Sequence, residues 1–160
     1  MTENNIDKKL ILAAVIAELE RQKRDTERNA SAVHAHAVEA PSPMESHSDQ
    51  TRYEMNTLHE NLRAAIETYT QSITTLANLE LGGGPDTAVG VGSVVRIEDA
   101  AHQSKTLFLL PEVRSVTVVV RREPYTALSQ KAPLGAALVG KRAGDVVSVN
   151  GRIFTIVSVE

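Results

Sequence analysis

Two runs of small and apolar residues in the first half of the chain share one geometric relation, which limits the fold more than any other feature. In each run the residues recur at alternating steps of four and three, the spacing of a coiled-coil seam. The first seam, with Lys23 as its one charged position, consists of Leu12, Ile16, Leu19, Lys23, Thr26, Ala30, Val33 and Ala37. The second consists of Met55, Leu58, Leu62, Ala65, Tyr69, Ser72, Leu76 and Leu79.

When the two seams are paired antiparallel, the position halfway along the chain between the two facing residues is the same for every pair, at residues 45–46. The segment between the seams contains Pro41 and Pro43, and Pro ends a helix because it lacks an N–H donor and clashes with the preceding turn. We therefore predict an antiparallel helical hairpin over residues 1–81 with its tip near 41–48. Each arm of about 30 residues would be roughly 45 Å long. An intermolecular helical bundle is the alternative, which the shared register disfavours.

The second half of the chain has the composition of a β-rich domain. All nine Gly lie in residues 82–160, together with β-branched runs such as Val116–Val120. We predict a Gly-rich linker over 82–92 and an antiparallel sheet over 93–160. Pro133 and Gly140 fit the start and end of one short helix, and Asn150-Gly151 indicates a β-hairpin. The expected fold class is α+β.

The bulk composition narrows the classes of function. The net charge of -3 gives the 160-residue chain no general attraction to nucleic acid or membrane. The chain has no Cys, which excludes disulfides and thiolate chemistry. Its apolar stretch Leu10–Ile16 is shorter than the roughly 20 residues of a membrane span. We expect a cytoplasmic, monomeric protein that does not bind membranes.

The C-terminal segment APLGAALVGKRAGDVVSVNGRIFTIVSVE combines small residues, a short helix and a hairpin at fixed spacing. The residues that carry this pattern are Pro133, Leu134, Gly135, Ala137, Leu138, Gly140, Lys141, Gly144, Asp145 and Val147, with Ala132 where Ser is usual. The segment resembles the end of the Gre-type transcript cleavage factors. The order of hairpin, linker and sheet extends the resemblance to nearly the whole chain.

The resemblance implies both a fold and a partner. It implies an FKBP-like C-terminal domain that docks at the rim of the secondary channel of bacterial RNA polymerase. The docking residues would be Pro133, Leu134, Gly135, Gly140 and Lys141. It also implies that the hairpin enters the channel toward the active-site Mg²⁺. The protein would then be an accessory factor with no cofactor of its own, and not itself an enzyme.

The tip carries two acids with an unusual spacing. Cleavage factors show Asp-x-x-Glu at the tip, followed by a Tyr, whereas this chain reads Glu45-x-x-x-Asp49 before Tyr53. The resemblance implies that Glu45 and Asp49 assist catalysis by sharing a Mg²⁺ with the polymerase, since Mg²⁺ is usually held by one or two carboxylates and waters. The alternative is that both acids are solvated and Asp49 caps the second helix.

A set of basic residues lies on the predicted hairpin. In Gre factors such residues lie near the extruded RNA, so the resemblance implies indirect contact with the nascent transcript. The set consists of Arg21, Lys23, Arg24, Arg28 and Arg52. The alternative is a solvated face on which Arg and Lys pair with neighbouring acids.

Four functions remain open at this point, the last of them a generic coiled-coil adaptor, which would leave the C-terminal pattern unexplained. The first is a channel-inserting factor that modulates elongation or stimulates cleavage, and the second is a channel-binding regulator or inhibitor without cleavage activity. The altered spacing of Glu45 and Asp49 favours the second. The third is an FKBP-like isomerase or chaperone, which needs an aromatic pocket that only Phe108, Tyr125 and Phe154 could line.

Overall fold

The computed structural model describes residues 6–39, 47–82, 84–85 and 87–160. Two long helices are followed by a sheet domain with one short helix, which confirms the predicted α+β class. The elements are α1 Lys8–Glu39, α2 His47–Ala77, β1 Val94–Asp99, β2 Ser104–Leu110, β3 Val116–Val120, β4 Glu123–Ser129, α3 Pro133–Leu138, β5 Val146–Val149 and β6 Arg152–Val159. A search of the described helices finds none with the length and apolarity of a membrane span.

The chain divides into two compact units. Leu19–Thr74 forms the hairpin unit, and Met1–Glu18 with Thr75–Glu160 forms the sheet unit. The start of α1 and the end of α2 therefore belong to the sheet unit. The sequence alone had placed this boundary at residue 81.

The hairpin unit has a narrow buried seam. Leu19, Ala30 and Tyr69 are buried, and the Tyr69 hydroxyl donates a hydrogen bond to Gln22 Oε1 at 3.3 Å. This contact joins α1 to α2 at the register expected from the sequence, so the antiparallel pairing is confirmed. Leu58 departs from the expected seam, because its side chain is 47% exposed.

A second contact between the two helices lies farther along the hairpin unit. The rings of His34 and His59 approach to 5.6 Å between centroids. This pair also fits the antiparallel register. Residues 40–46 lie outside the described residues, and the predicted tip lies largely among them.

The sheet unit contains one six-stranded sheet in the order β3-β4-β2-β1-β6-β5. All neighbouring strands are antiparallel except β2 and β4, which run parallel, with Leu107 opposite Thr126. The expectation of a wholly antiparallel sheet is therefore corrected to a mixed sheet. The parallel pair arises because β3 and β4 form a hairpin at one edge and only β4 pairs with β2.

The sequence predicts a strand over SVTVVVRRE, residues 115–123, and none between it and the helix at Pro133, so β4 is not predicted. Its hairpin with β3 turns through Arg121 and Arg122, which have φ of 52° and 71°. This is the left-handed region that two-residue hairpin turns require, but Arg-Arg is not a recognised turn signal. Pro124 also argues against a central strand. It is tolerated because the pairing of β4 with β2 begins only at Thr126.

One face of the sheet packs against α3. The core there consists of buried Val89, Val95, Ile97, Leu107, Leu109, Leu138, Val147, Ile156 and Val159, with Leu134, Ala137 and Phe154 packed against it. The predicted turn at Asn150-Gly151 is confirmed, with φ of 51° and 77°. These values match the turn type that favours Asn-Gly in two-residue hairpins.

Part of the predicted linker lies within the sheet unit. Val89 is 2% exposed, its N–H donates to the Lys141 carbonyl at 2.8 Å, and its carbonyl accepts the Gly140 N–H at 2.8 Å. The Gly92 N–H donates to the Leu109 carbonyl at 2.8 Å. Residues 89–92, which the composition had suggested were linker, are therefore held by hydrogen bonds to the sheet domain.

The start of α1 and the end of α2 are anchored in the sheet unit. Asp7 accepts the Leu10 N–H at 3.2 Å and caps the first turn of α1. Ile11 and Leu76 are almost fully buried. Lys8 Nζ donates to the Gly82 carbonyl at 3.3 Å. Burial lowers the pKa of Lys8, and the nearby Glu160 partly opposes this.

Candidate functional site

Only one of the two predicted tip acids lies in a described element. Glu45 lies outside the described residues, and Asp49 occupies the first turn of α2, where only its helical backbone is described. A carboxylate in the first turn of a helix is favoured by the positive end of the helix dipole. Among the described residues there is no group of three or more His, Cys, Asp or Glu that could hold a metal ion. The shared Mg²⁺ site therefore stays a prediction.

The basic residues of α1 are largely matched by neighbouring acids. Arg21 lies 2.8 Å from Asp25, Arg28 lies 3.7 Å from the same carboxylate, and Lys23 lies 3.9 Å from Glu27. These exposed pairs contribute little to stability. They do, however, partly neutralise the face that was expected near RNA.

The net charge of the hairpin unit also disfavours a basic surface for RNA. Residues 19–74 contain six Lys or Arg against nine Asp or Glu. Binding to a phosphate backbone depends on an excess of positive charge. Arg24 and Arg52 are exposed, so any contact with RNA would have to rest on single residues rather than on a basic surface.

The residues of the Pro-Leu-Gly motif position α3 on the sheet. Pro133 is the first residue of α3, where its missing N–H costs nothing. A Cβ on Gly135 would lie 2.1 Å from the Ser129 carbonyl oxygen, so only Gly allows α3 to approach the end of β4 this closely. Leu134 is partly buried against the core. Three motif residues therefore have structural roles of their own.

The Gly140-Lys141 pair ends the helix and connects it to residue 89. Gly140 has φ of 79°, which explains why Gly is preferred after the helix. The Lys141 carbonyl accepts the Val89 N–H, while the Lys141 side chain is exposed. Of the five predicted docking residues, Pro133, Gly140 and Lys141 are exposed at the surface.

A cavity of about 240 Å³ opens beside Leu134. Its walls include Ile97, Asp99, Lys105, Leu134, Arg152 and Phe154. Lys105 and Arg152 have no local sequence signal, because they come from separate strands that only the sheet topology brings together. Ile97 pairs with Lys105 across β1 and β2, and Asp99 pairs with Phe154 across β1 and β6. These four side chains therefore lie on one face of the sheet.

The three aromatic residues that an isomerase pocket would need do not converge. Phe108 is fully buried in the fold, Tyr125 lines a different cavity with Ile11 and Val120, and only Phe154 borders the cavity beside Leu134. An aromatic-lined pocket for a prolyl substrate is therefore not formed by these residues, which weighs against the isomerase alternative.

Among known proteins, the sequence similarity lies in the sheet unit. The family model described as "Transcription elongation factor, GreA/GreB, C-term" matches residues 84–160. No curated protein matches the chain.

Two solved structures resemble the chain over most of its length. One is GreA factor homolog 1 (Gfh1) of Thermus thermophilus, which is 22% identical, with 92% of this chain and 95% of that chain covered and a TM-score of 0.38. The other is described as the transcription factor Gfh1, at 22% identity, with 92% and 94% covered and a TM-score of 0.39. The likeness to this family rests on the sequence of the C-terminal domain: residues 84–160 match the model of the GreA/GreB transcription elongation factors.

Proposed function

We propose that this protein is an accessory factor of bacterial RNA polymerase that docks through its sheet unit at the rim of the secondary channel and inserts the tip of its hairpin toward the active site. The observation that carries the proposal is the match of residues 84–160 to the GreA/GreB family. The paired helices support it, because a hairpin with a single narrow seam is slender enough to enter a channel. In this role the polymerase performs the chemistry.

The tip supplies the chemical part of the proposal. Carboxylate oxygens are the ligands that Mg²⁺ prefers, and it is usually held by one or two of them with waters. Glu45 and Asp49 fit that donor set and would hold a Mg²⁺ shared with the polymerase. Such an ion activates water and stabilises a leaving oxygen during phosphodiester hydrolysis.

A second candidate function is favoured by one specific observation. The tip acids are separated as Glu45-x-x-x-Asp49, whereas cleavage factors of this family show Asp-x-x-Glu. The second candidate is a regulator that occupies the channel, and thereby limits nucleotide entry, without stimulating cleavage.

Cleavage of RNA in purified, stalled elongation complexes tests the proposal and separates the two candidates. If the protein is a cleavage factor, it raises cleavage above the intrinsic rate, and Glu45→Ala with Asp49→Ala removes the increase. If it is a channel-occupying regulator, it adds no cleavage but competes with a known cleavage factor. The absence of both effects would contradict the proposed function.

A matched control removes two acids of α2 that lie away from the predicted tip. Glu54 and Glu60 are exposed residues of α2, so Glu54→Ala with Glu60→Ala changes the net charge by the same amount as the tip variant. The control variant is expected to behave as the wild-type chain does. An equal loss in both variants would assign the effect to overall charge and not to the tip.

A further inference from the structure

A histidine occupies a seam position of α2. The neighbour of His59 in sequence, Leu58, is 47% exposed, whereas His59 itself is half-buried. His59 belongs to a series of buried and half-buried residues of α2 at alternating steps of four and three, which consists of Met55, His59, Leu62, Ile66 and Tyr69. The helix therefore turns an imidazole toward the seam and leaves a leucine in solvent.

The facing helix carries a second histidine at the same level. The rings of His34 on α1 and His59 on α2 approach to 5.6 Å between centroids, with an angle of 39° between their planes. Both residues belong to the hairpin unit. Within the described part of the chain, neither imidazole makes a hydrogen bond or an ion pair. Their ring nitrogens are therefore not engaged by other protein groups of that part.

Two imidazoles in contact are a poor choice for a helical seam unless something binds to them. A polar ring that is partly removed from water costs free energy when no partner compensates it, and two protonated rings at this separation would repel each other. An apolar pair at the same level would avoid both costs. A cation that binds one lone pair from each neutral ring would compensate them and would link the two helices.

The separation of the rings fits one shared ion. An imidazole nitrogen binds zinc at about 2.0–2.1 Å, so two ring centres on one tetrahedral ion are roughly 5 Å apart. The observed 5.6 Å differs from this by no more than a small side-chain adjustment. His34 is exposed, so a hydrated ion can reach the pair from solvent. The described residues offer no cluster of three ligands, so water would complete the coordination.

The donor atoms decide which class of ion the pair can hold. Imidazole nitrogen suits Zn²⁺, Ni²⁺ and Cu²⁺, whereas Mg²⁺ takes oxygen ligands. The pair thus differs in chemistry from the tip acids Glu45 and Asp49. It also differs in place, because along both helices it lies between the contact of Tyr69 with Gln22 and the predicted tip.

We propose that His34 and His59 bind one divalent transition-metal ion of the zinc class, which links α1 to α2. The ion takes one nitrogen from each ring, and the two rings meet only when the helices are paired in register. Binding therefore stabilises the paired hairpin over any state in which its arms separate. This site belongs to the hairpin itself and is independent of the proposed function.

Calorimetric titration of the metal-free full chain with Zn²⁺ tests the proposal. One ion is expected to bind at this site. His34→Gln and His59→Gln, made separately, are each expected to weaken its binding by about tenfold or more, because each removes one of only two protein ligands. Two independent single-histidine sites would instead leave one of them intact in each variant.

The matched control is His36→Gln with His47→Gln. It removes two imidazoles from the same two helices and leaves the proposed pair unchanged. The control is expected to change the affinity for Zn²⁺ by less than about twofold, since neither residue is a ligand of the proposed site. Circular dichroism shows whether each variant remains helical, and Zn²⁺ is expected to raise the Tm of the wild-type chain but not that of either single variant.

NMR spectra of the imidazole nitrogens locate the bound ion. Zn²⁺ is expected to shift the ring nitrogens of His34 and His59 and not those of His102, and Mg²⁺ at the same concentration is expected to shift neither ring of the pair. If a variant fails to fold, these shifts in the wild-type chain decide the question.

Three results would overturn the proposal. They are the absence of Zn²⁺ binding or of ring shifts at His34 and His59 in the wild-type chain, unchanged binding in either single variant, and a loss in the control as large as in the single variants. No polymerase enters these measurements, so their failure would leave the proposed function to its own test.

Discussion

The hairpin unit and the sheet unit use their residues in different ways. In the sheet unit the motif residues are fixed by packing: Gly135 lies against the Ser129 carbonyl, and Gly140 adopts a positive φ. Among the described side chains of the hairpin unit, only Leu19, Ala30 and Tyr69 are buried, and even the expected seam residue Leu58 is 47% exposed. Packing therefore restricts which residues the sheet unit can have at these positions. At most of the exposed positions of the hairpin unit, packing sets no such restriction.

This difference explains why the two units support different conclusions. The match to the GreA/GreB model lies in the sheet unit, over residues 84–160. The exposed residues of the hairpin have few structural reasons for their identity. Their roles must accordingly be tested by function and not by stability.

The sharpest test of this contrast compares two Leu residues that the sequence assigned to the same seam. Leu76 belongs to the sheet unit and is fully buried, whereas Leu58 belongs to the hairpin unit and is 47% exposed. Leu76→Ala is expected to lower the free energy of unfolding by about 3 kcal/mol through lost burial and a cavity. Leu58→Ala should cost less than about 1 kcal/mol. Chemical denaturation measures both, and equal losses would remove the contrast.

A second pair of variants tests the close approach of α3 to the sheet. Gly135→Ala places a Cβ at 2.1 Å from the Ser129 carbonyl oxygen and is expected to destabilise the protein by about 2 kcal/mol. Gly82→Ala serves as the control, since nothing lies within 4 Å of its Cβ position. It should change stability by less than about 0.5 kcal/mol. A neutral Gly135→Ala would show that α3 can shift without penalty.

Within the hairpin unit, the hydrogen bond of Tyr69 is expected to have a smaller effect. Tyr69→Phe removes the donor to Gln22 Oε1 and should lower the free energy of unfolding by roughly 0.5–1 kcal/mol. Tyr53→Phe is the matched control, because Tyr53 is 73% exposed. Thermal unfolding compares them. If Tyr69→Phe lowered the free energy of unfolding by several kcal/mol, the hydrogen bond would stabilise the hairpin far more than expected for a single contact.

The smallest effect is expected at an exposed ion pair of the sheet unit. The hydrogen bond and charge of Lys131 lower the pKa of Glu112. Any stability from this pair is present above the ordinary carboxyl pKa and is lost as pH falls through the lowered pKa of the folded state. Lys131→Met should raise the pKa of Glu112, which NMR titration of its carboxyl group measures. An unchanged pKa would mean that the pair does not form in solution.

The parts of the fold that sequence patterns predicted are those governed by local rules. The alternating seam steps predicted the antiparallel helices, and Asn150-Gly151 predicted the closing hairpin. Strand β4 was missed because its turn uses Arg121 and Arg122 at positive φ. The parallel pairing of β4 with β2 was therefore not predicted either, since the order of strands depends on contacts between residues that are distant in sequence.

The candidate site divides in the same way. The Pro-Leu-Gly motif was recognised directly from the sequence, and Leu134 does border the cavity of about 240 Å³. Lys105 and Arg152 could not be found, because they are 47 residues apart in sequence and meet only through the pairing of β1 with both β2 and β6. Each is an ordinary exposed cation in its own strand, without any local signal.

The central claim is that the tip of the hairpin reaches the active site of RNA polymerase, and proximity cleavage tests it most directly. The chain has no Cys, so Ser46→Cys provides a single attachment point for an iron chelate that generates hydroxyl radicals at the tip. Val119→Cys, at a residue that is 67% exposed in the sheet unit, is the control. The account predicts that the tip chelate cuts polymerase segments around the catalytic Mg²⁺ and the control cuts only segments outside the channel. Cuts from the tip chelate confined to the outer surface, or no cuts at all, would contradict it.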